Sequence, residues 1–306
     1  MSDLDNRRTQ QDARADSGDV NRPTRYADAL NRYLGAAGYE AIESKRAPAE
    51  PPFAATPSTG VVVVGADETP AGYTAVDHAA IEAELRGWNL RIVHVQPRRA
   101  LSSARDAGAL LLERLTDRVH ACSPSIAVTS HLVVGSPASL LLSQSTSADL
   151  LVVGNRHGAA SAAIGLSVAD RLAGHHDGVI MVVRMPGRPT GTGFGTRPVV
   201  VGVEQPGVIT PAALFALQEA GLRGCDLVML SARHGLAPAG RTETIQGVLV
   251  HHRTAATDPA SALTGLSHGA AAIVVGRRGF GGHPVTMLGS VSRAMVQHAG
   301  CPVFLV

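Results

Sequence analysis

The chain is poor in aromatic and charged side chains, and each shortage excludes a class of protein. Aromatic residues make up 3% of the 306 residues and charged residues 17%, whereas hydrophobic residues make up 45%. Val, Leu, Ile and Ala must therefore fill the interior, and this composition suits parallel strands covered by helices better than an all-β sandwich. The net charge of +2, with no basic run that contains aromatic residues, argues against a nucleic-acid-binding protein.

Cysteines and long apolar segments are also scarce. Cys122, Cys225 and Cys301 are odd in number and form no C-x-x-C pair, so no disulfide framework is expected. No apolar run approaches the ~18 residues that a membrane-spanning helix needs. Residues 1–20 lack the apolar centre of a signal peptide. We therefore expect a cytoplasmic protein that does not bind membranes.

What the sequence does contain is a repeated order of strands and helices. Apolar runs that indicate buried strands alternate with segments of helical spacing, and the whole order restarts near residue 199. Strands that alternate with helices predict parallel sheets with right-handed crossover connections. The segments that match between the two copies are VVVVGAD (61–67) with VVVGVE (199–204), GSPASLL (135–141) with TDPASAL (257–263), and LLVVGNR (150–156) with AIVVGRR (272–278).

The repeat predicts two tandem α/β domains, each with a doubly wound parallel sheet. The first spans residues 59–185 and the second 198–306, and a linker rich in Gly, Pro and Thr joins them at 186–197. Residues 1–58 are expected to be a disordered tail with a short helix, because apolar residues from 26 to 39 recur at helical spacing. A partly ordered tail that contacts its own protein is the alternative.

The second copy is shorter than the first between its second and third strands. Only SARHGLAPAGRTETIQ (231–246) stands where the first copy has a helix near 104–120. The helix that should cover one face of the second sheet is therefore missing or shortened. The N-terminal segment or a partner chain would then have to shield that face.

A glycine-rich loop follows the predicted strand at 272–275. It begins with Gly276 and Gly279 and ends with Gly289 and Ser290, in the spacing G-x2-G-x9-G-S. The first glycine ends a buried strand, where a doubly wound sheet opens its binding crevice, and glycine lets the backbone approach a ligand closely. Ser290 is predicted to be the N-cap of the next helix, where free N–H groups and the helix dipole favour an anion. The loop therefore predicts a phosphate site.

This spacing, together with the terminal CPV strand and the duplicated frame, resembles the universal stress protein family, which has a nucleotide-binding adenine α-hydrolase-like fold. The resemblance covers most of residues 60–306 as a tandem pair. It implies five-stranded parallel sheets in the order 3-2-1-4-5 and ATP or a related adenine nucleotide as the ligand. It also implies a regulatory role in stress response or growth control, with slow ATP hydrolysis as the enzymatic alternative.

Carried over residue by residue, the resemblance implies a nucleotide site in the second domain. The members of the family that bind ATP hold the adenosine end with an Asp after the first strand. Glu204 stands at this position in the second copy, whereas the first copy keeps Asp67. The other residues that the resemblance implies for this site are Val203, Gly276, Arg278, Gly279, Gly289, Ser290 and Val291.

The corresponding loop of the first copy departs from the pattern. His157 replaces the second glycine, and aligning Ser167 with Ser290 puts Leu166 where the second copy has Gly289. Bulky side chains in such a turn hinder the close approach of a phosphate. We therefore expect the site of the first domain to be impaired.

A ligand-free interaction module is the alternative function. The last strands of the two copies, at 179–183 and 302–306, are apolar and are expected to pair with each other or across a homodimer. Such a module would act by binding a partner protein. No catalytic residue is expected, because Ser267 in GLSHG lies between a helix and a strand in the reverse of the order that a nucleophile needs. No metal site is expected either, because the adjacent His pairs lack a carboxylate or Cys at ligand spacing.

Overall fold

The computed structural model describes residues 24–34, 60–98, 102–155, 167–184, 194–205, 208–232, 239–277 and 288–306. The helices within these ranges are α1 (Arg25–Leu34), α2 (Pro70–Arg86), α3 (Ser102–Cys122), α4 (Pro137–Gln144), α5 (Val168–His175), α6 (Pro211–Arg223), α7 (Pro259–Ser267) and α8 (Ser290–His298). The strands are β1 (Val61–Ala66), β2 (Asn89–Gln96), β3 (Val128–Val134), β4 (Leu150–Asn155), β5 (Val179–Arg184), β6 (Val199–Gly202), β7 (Leu227–Ala232), β8 (Ala239–Ile245), β9 (Val248–Ala255), β10 (Ala272–Val275) and β11 (Val303–Leu305). Across these ranges, no helix has both the length and the apolar character needed to cross a membrane.

The eleven strands of the described residues form one sheet in the order β3-β2-β1-β4-β5-β11-β10-β6-β7-β9-β8. In the first half, β1 to β5 are parallel and take the predicted order 3-2-1-4-5. In the second half, β6, β7, β9, β10 and β11 repeat that order, and β8 is added at the edge. The tandem α/β fold is therefore confirmed, with one strand more than the sequence predicted.

The added strand belongs to a hairpin that stands where the first half has α3. Between β7 and β9 the described residues form no helix, as predicted, and β8 pairs antiparallel with β9. The turn between them has positive φ at Gln246 and Gly247, 51° and 81°, as tight hairpins require. On the face that α3 covers in the first half, Val250 is fully buried, and His252 Nε2 lies 2.6 Å from Glu243 Oε1. This polar pair makes the outer part of that face compatible with water.

Helices cover both faces of the sheet. One face packs against α2, α3 and α6, and the other against α4, α5, α7 and α8. The central strands are apolar on both sides for this reason, and Val62–Val64 and Leu150–Val153 are at most 2% exposed.

The helices that follow the first strand of each half, α2 and α6, begin and end alike. Thr69 and Thr210 are their N-caps, and the hydroxyl oxygen of each accepts a hydrogen bond from the first turn. Both helices end at a glycine in the left-handed conformation, Gly87 with φ 66° and Gly224 with φ 64°. These matching ends fix which residues of the two halves correspond.

The two halves meet where β5 pairs antiparallel with β11, with Ile180 opposite Leu305 and Val182 opposite Val303. We call this boundary the seam. The prediction that the last strands pair with each other is confirmed. The alternative, that they pair two chains, is wrong, because β4 and β10 occupy their other edges within the same chain.

Four charged side chains are buried where α2 and α6 meet beside the seam, and we call them the ion cluster. The motif E-A-x-L-R-G ends both helices and places a Glu and an Arg one turn apart. Arg223 donates from Nε to Glu219 and from Nη2 to Glu82, at 2.6 Å each. Arg86 pairs with the same two carboxylates. Each helix therefore supplies one positive and one negative charge, and every charge has partners on both helices.

Helix α1 lies over α2, α3 and α6. The helical spacing seen in the sequence from residue 26 corresponds to this helix, while residues 35–58 fall outside the described ranges. Tyr33 Oη donates to the backbone oxygen of Val119 at 3.3 Å, and Arg118 Nη2 donates to the backbone oxygen of Tyr33 at 3.0 Å. The buried residues of α1 are Tyr26, Ala29, Leu30, Tyr33 and Leu34, each at most 3% exposed.

The docking of α1 predicts a late tyrosine titration. Burial raises the pKa of Tyr26 and of Tyr33 from 10.0 to about 12. Because the folded pKa lies above the unfolded value, these groups stabilise the fold fully below pH 10.0, and the stabilisation is lost as the pH rises towards about 12. Absorbance titration of tyrosinate should show a late phase that the Tyr26→Phe/Tyr33→Phe variant lacks. A wild-type titration that is complete near pH 10.0 would contradict the docked position of α1.

Candidate functional site

The predicted phosphate loop begins at the crevice of the second sheet. β6 and β10 are parallel neighbours, with Val201 beside Val274, at the point where the strand order of this half reverses. Val203 and Glu204 follow β6, and Gly276 follows β10. These residues therefore lie at the carboxyl ends of adjacent strands, where doubly wound sheets bind ligands.

The first turn of α8 is tied to the end of β10. The N–H of Gly289 donates to the backbone oxygen of Arg277 at 2.9 Å. The hydroxyl of Ser292 donates to the backbone oxygen of Gly276 at 2.6 Å and is 4% exposed as a residue. Ser292 was missed by the sequence reasoning, although it lies two residues beyond the predicted Ser290. These two hydrogen bonds hold the start of α8 against the end of β10.

The structure brings together most of the predicted site but not all of it. Asp67 lies in the other half, and the carboxyl ends of the two sets of strands point in opposite directions because β5 and β11 are antiparallel. The predicted residues that the structure collects at the second crevice are Val203, Glu204, Gly276, Gly289, Ser290 and Val291. Those outside the described residues are Arg278, Gly279, His157 and Leu166.

Among the described residues, no side chain caps the N-terminus of α8. Gly289 is the N-cap residue, with φ −58° and ψ 155°, and glycine has no side chain to accept from the first turn. The prediction that Ser290 is the N-cap is wrong, because Gly289 takes that position and Ser290 is the first residue of the helix, with an exposed side chain. Helix N-terminal N–H groups without a cap are donors for an anion, and the helix dipole adds to their attraction. This end of α8 can therefore bind a phosphate through its backbone and the Ser290 hydroxyl.

The equivalent helix of the first half, α5, is closed by its own side chains. Ser167 is the N-cap, and its Oγ accepts from the N–H of Asp170 at 3.1 Å. The carboxylate of Asp170 accepts from the N–H and the hydroxyl of Ser167, at 3.1 and 2.7 Å. A carboxylate thus closes this helix start. In α8 the residue three positions after the N-cap is Ser292, whose hydroxyl donates to Gly276, and the next residue is the positively charged Arg293.

The acids that follow the first strands make different contacts. Asp67 Oδ1 accepts from the backbone N–H of Thr69 at 3.0 Å and from its hydroxyl, so this carboxylate helps to fix the turn that leads into α2. The side chain of Glu204 is exposed, and its backbone oxygen accepts from Ser231 Oγ at 3.2 Å. The carboxylate of Glu204 therefore lies on the open side of the second crevice.

The serine of the GLSHG segment is buried and hydrogen-bonded to the backbone. Ser267 is 1% exposed, donates from Oγ to the backbone oxygen of Thr264 at 2.6 Å, and accepts from the N–H of Gly300 at 2.9 Å. These bonds join the end of α7 to the segment before β11. In the part of the chain that the structure describes, no group of three or more His, Cys, Asp or Glu is placed to hold a metal ion.

The two helix starts predict responses of different size to the same substitution. Ser167→Ala should lower the free energy of unfolding by about 1 kcal/mol, because it removes a capping side chain. Ser290→Ala should change it by less than about 0.5 kcal/mol, because Ser290 is exposed and is not the cap. Urea denaturation measures both. Equal losses in the two variants would contradict the assignment of the caps.

The comparisons with known proteins agree with this architecture. The model of the universal stress protein family matches residues 59–184 and 239–306. A universal stress protein of Mycobacterium tuberculosis is 28% identical over 301 residues, which cover 80% of this chain and 94% of the relative. One of Mycolicibacterium smegmatis is 28% identical over 284 residues, 80% of this chain and 96% of the relative.

A solved universal stress protein from Archaeoglobus fulgidus has the same fold. It is 14% identical and aligns with a TM-score of 0.63, over 80% of this chain and 97% of that chain. The tandem sheets and the two matched segments lead to one conclusion: the chain belongs to the universal stress protein family.

Proposed function

We propose that this universal stress protein binds ATP or a related adenine nucleotide, chiefly in its second half, and acts as a regulator in stress response or growth control rather than as an enzyme. The observation that carries the proposal is the N-terminus of α8, which no side chain of the described residues caps and which is hydrogen-bonded to Gly276 at the end of β10. A phosphate is the anion that such a helix end favours at the crevice of a doubly wound sheet.

In the proposed complex, the ends of β6 and β10 contact different parts of the nucleotide. The adenosine would lie over the end of β6, where the exposed carboxylate of Glu204 can accept a hydrogen bond from a ribose hydroxyl. Ser292 acts indirectly, because its hydrogen bond to Gly276 holds the end of β10 against α8. The residues proposed to hold the phosphates are Gly276, Arg278, Gly279, Gly289, Ser290 and Val291.

The first half is proposed to bind nucleotide weakly or not at all. Asp170 takes the backbone donor of its own helix start and repels a second anion. Asp67, although it is the acid that the family resemblance favours, is bonded to Thr69. The two halves thus share a fold and differ in the charge at one helix start.

Calorimetry on the full chain tests the proposal. ATP should bind with one site per chain, and GTP should bind more weakly if the adenine is recognised. Chromatography of the denatured, freshly purified protein should release any nucleotide that was carried along, and released phosphate would report slow hydrolysis. No heat of binding with millimolar ATP, and no released nucleotide, would refute the proposal.

The second candidate is a ligand-free module that acts by binding an unknown protein partner or by self-association. The closed helix start of α5 favours it, because one of the two homologous loops already carries a side chain in place of a ligand. The cytoplasm is the proposed location for either function. The free thiols of Cys122, Cys225 and Cys301 suit its reducing conditions.

A further inference from the structure

Each guanidinium of the ion cluster lies close to at least one aromatic ring, and these rings come from different parts of the chain. Arg86 Cζ lies 5.4 Å from the ring centre of Trp88, just beyond the end of its own helix. Arg223 Cζ lies 4.2 Å from the ring centre of Tyr26 in α1 and 5.8 Å from that of Phe304. Rings at these distances attract a desolvated cation. Tyr26 can cover Arg223 only while α1 is in place.

The duplication explains why α1 is needed. Arg86, Gly87 and Trp88 correspond to Arg223, Gly224 and Cys225, because both helices end with the same left-handed glycine. The side chain of Cys225 is too small to cover Arg223. Nη1 of Arg223 is buried and has no hydrogen-bond partner among the described residues. The second half thus lacks the cover that Trp88 gives to the first, and Tyr26 supplies it.

The position of α1 spans both halves. At its start, Thr24 lies against Gly224 at the end of α6. At its other end, Arg32 pairs with Glu84 of α2, and Tyr33 bonds to Val119 of α3. The helix lies outside the matched family segments, 59–184 and 239–306.

We propose that α1 is a strap across the seam: its docking excludes water from the ion cluster and so keeps the two halves of the sheet joined. Charges that become exposed to water attract each other more weakly, because the local dielectric constant rises. When Tyr26 no longer covers Arg223, the ion pairs between α2 and α6 weaken. These helices lie on either side of the β5–β11 ladder. Undocking of α1 therefore destabilises the pairing of β5 with β11 before it destabilises the strands of either half.

Hydrogen exchange on the full chain tests this order. In Tyr26→Ala, the amides of residues 180–182 and 303–305 should exchange about tenfold faster or more, while those of β1 and β2 change little. Tyr26→Phe should behave like the wild type, because the ring covers Arg223. Arg25→Ala, on the exposed side of the same helix, is the matched control and should change neither region.

Two outcomes would overturn the proposal. In one, α1 itself exchanges faster while the seam keeps its wild-type protection. In the other, β1 and β2 accelerate as much as the seam does, which would make α1 an ordinary part of a single cooperative core. If Tyr26→Ala does not fold, Tyr26→Leu keeps the apolar bulk of the side chain, removes the ring and supports or refutes the proposal by the same comparison.

Discussion

Exchanging Glu82 and Arg86 for one another is expected to lower the free energy of unfolding by about 3–5 kcal/mol, and exchanging Glu219 and Arg223 as well is expected to restore most of it. The first exchange keeps an opposite pair within α2. It places a carboxylate at position 86 against the carboxylate of Glu219, and a guanidinium at position 82 against the guanidinium of Arg223. Both contacts between the helices then join like charges, and the second exchange makes them opposite again.

The size of the effect follows from the burial of the ion cluster. Arg223 and Glu82 are fully buried, and Glu219 and Arg86 nearly so. Burial opposes the ionisation of Glu219, but the charges of Arg86 and Arg223 outweigh it and lower its pKa. A charge that loses its partner in such a place retains the cost of desolvation, which is larger than the net gain of a surface ion pair.

Urea denaturation followed by tryptophan fluorescence reports unfolding at the ion cluster itself. Trp88 is the only tryptophan of the chain and lies over Arg86. The fourfold variant serves as the control, because it has the same amino-acid composition as the wild type. A fourfold variant no more stable than the less stable double variant would show that the bonds between α2 and α6 do not stabilise the seam.

The part of the fold that the sequence predicted is the part specified by local pattern. The apolar runs at 61–64, 150–154 and 272–275 lie within β1, β4 and β10, because strands buried on both faces are apolar throughout. The last helix was predicted at 290–298, where α8 is found. The matched copies extended these local predictions to the tandem arrangement, and the family resemblance supplied the strand order.

Two features were missed, each for its own reason. β8 has no apolar run, since an edge strand faces solvent, and its sequence AGRTETI contains four polar residues in succession. Glu82 with Arg86, and Glu219 with Arg223, resemble exposed helical ion pairs until the antiparallel seam buries them. The repeated motif E-A-x-L-R-G was the signal available.

One detail of the candidate site, the N-cap of α8, differs from the prediction. Ser290 was expected to cap α8, as Ser167 caps α5. The N-cap is instead Gly289, and among the described residues no side chain accepts a hydrogen bond from the first turn. An alignment by residue type cannot detect this difference, because the two serines stand at equivalent positions.

Gly289→Leu is therefore expected to weaken ATP binding by about thirtyfold or more while leaving the fold intact. The new side chain would stand at the uncapped helix start, as Leu166 is predicted to do in the first half, and would remove at least one charge-assisted hydrogen bond, about 2 kcal/mol. The backbone of Gly289, φ −58° and ψ 155°, is open to any residue, so the substitution introduces no backbone strain.

The chain offers a matched control for this substitution. Gly265 is exposed on α7, and a Cβ there would meet nothing within 4 Å, so Gly265→Leu adds the same side chain away from the crevice. Calorimetry should find wild-type affinity in Gly265→Leu and loss of binding in Gly289→Leu, and neither variant should unfold at a lower urea concentration than the wild type. If both variants bind ATP as the wild type does, the nucleotide lies elsewhere, and the uncapped end of α8 has another role.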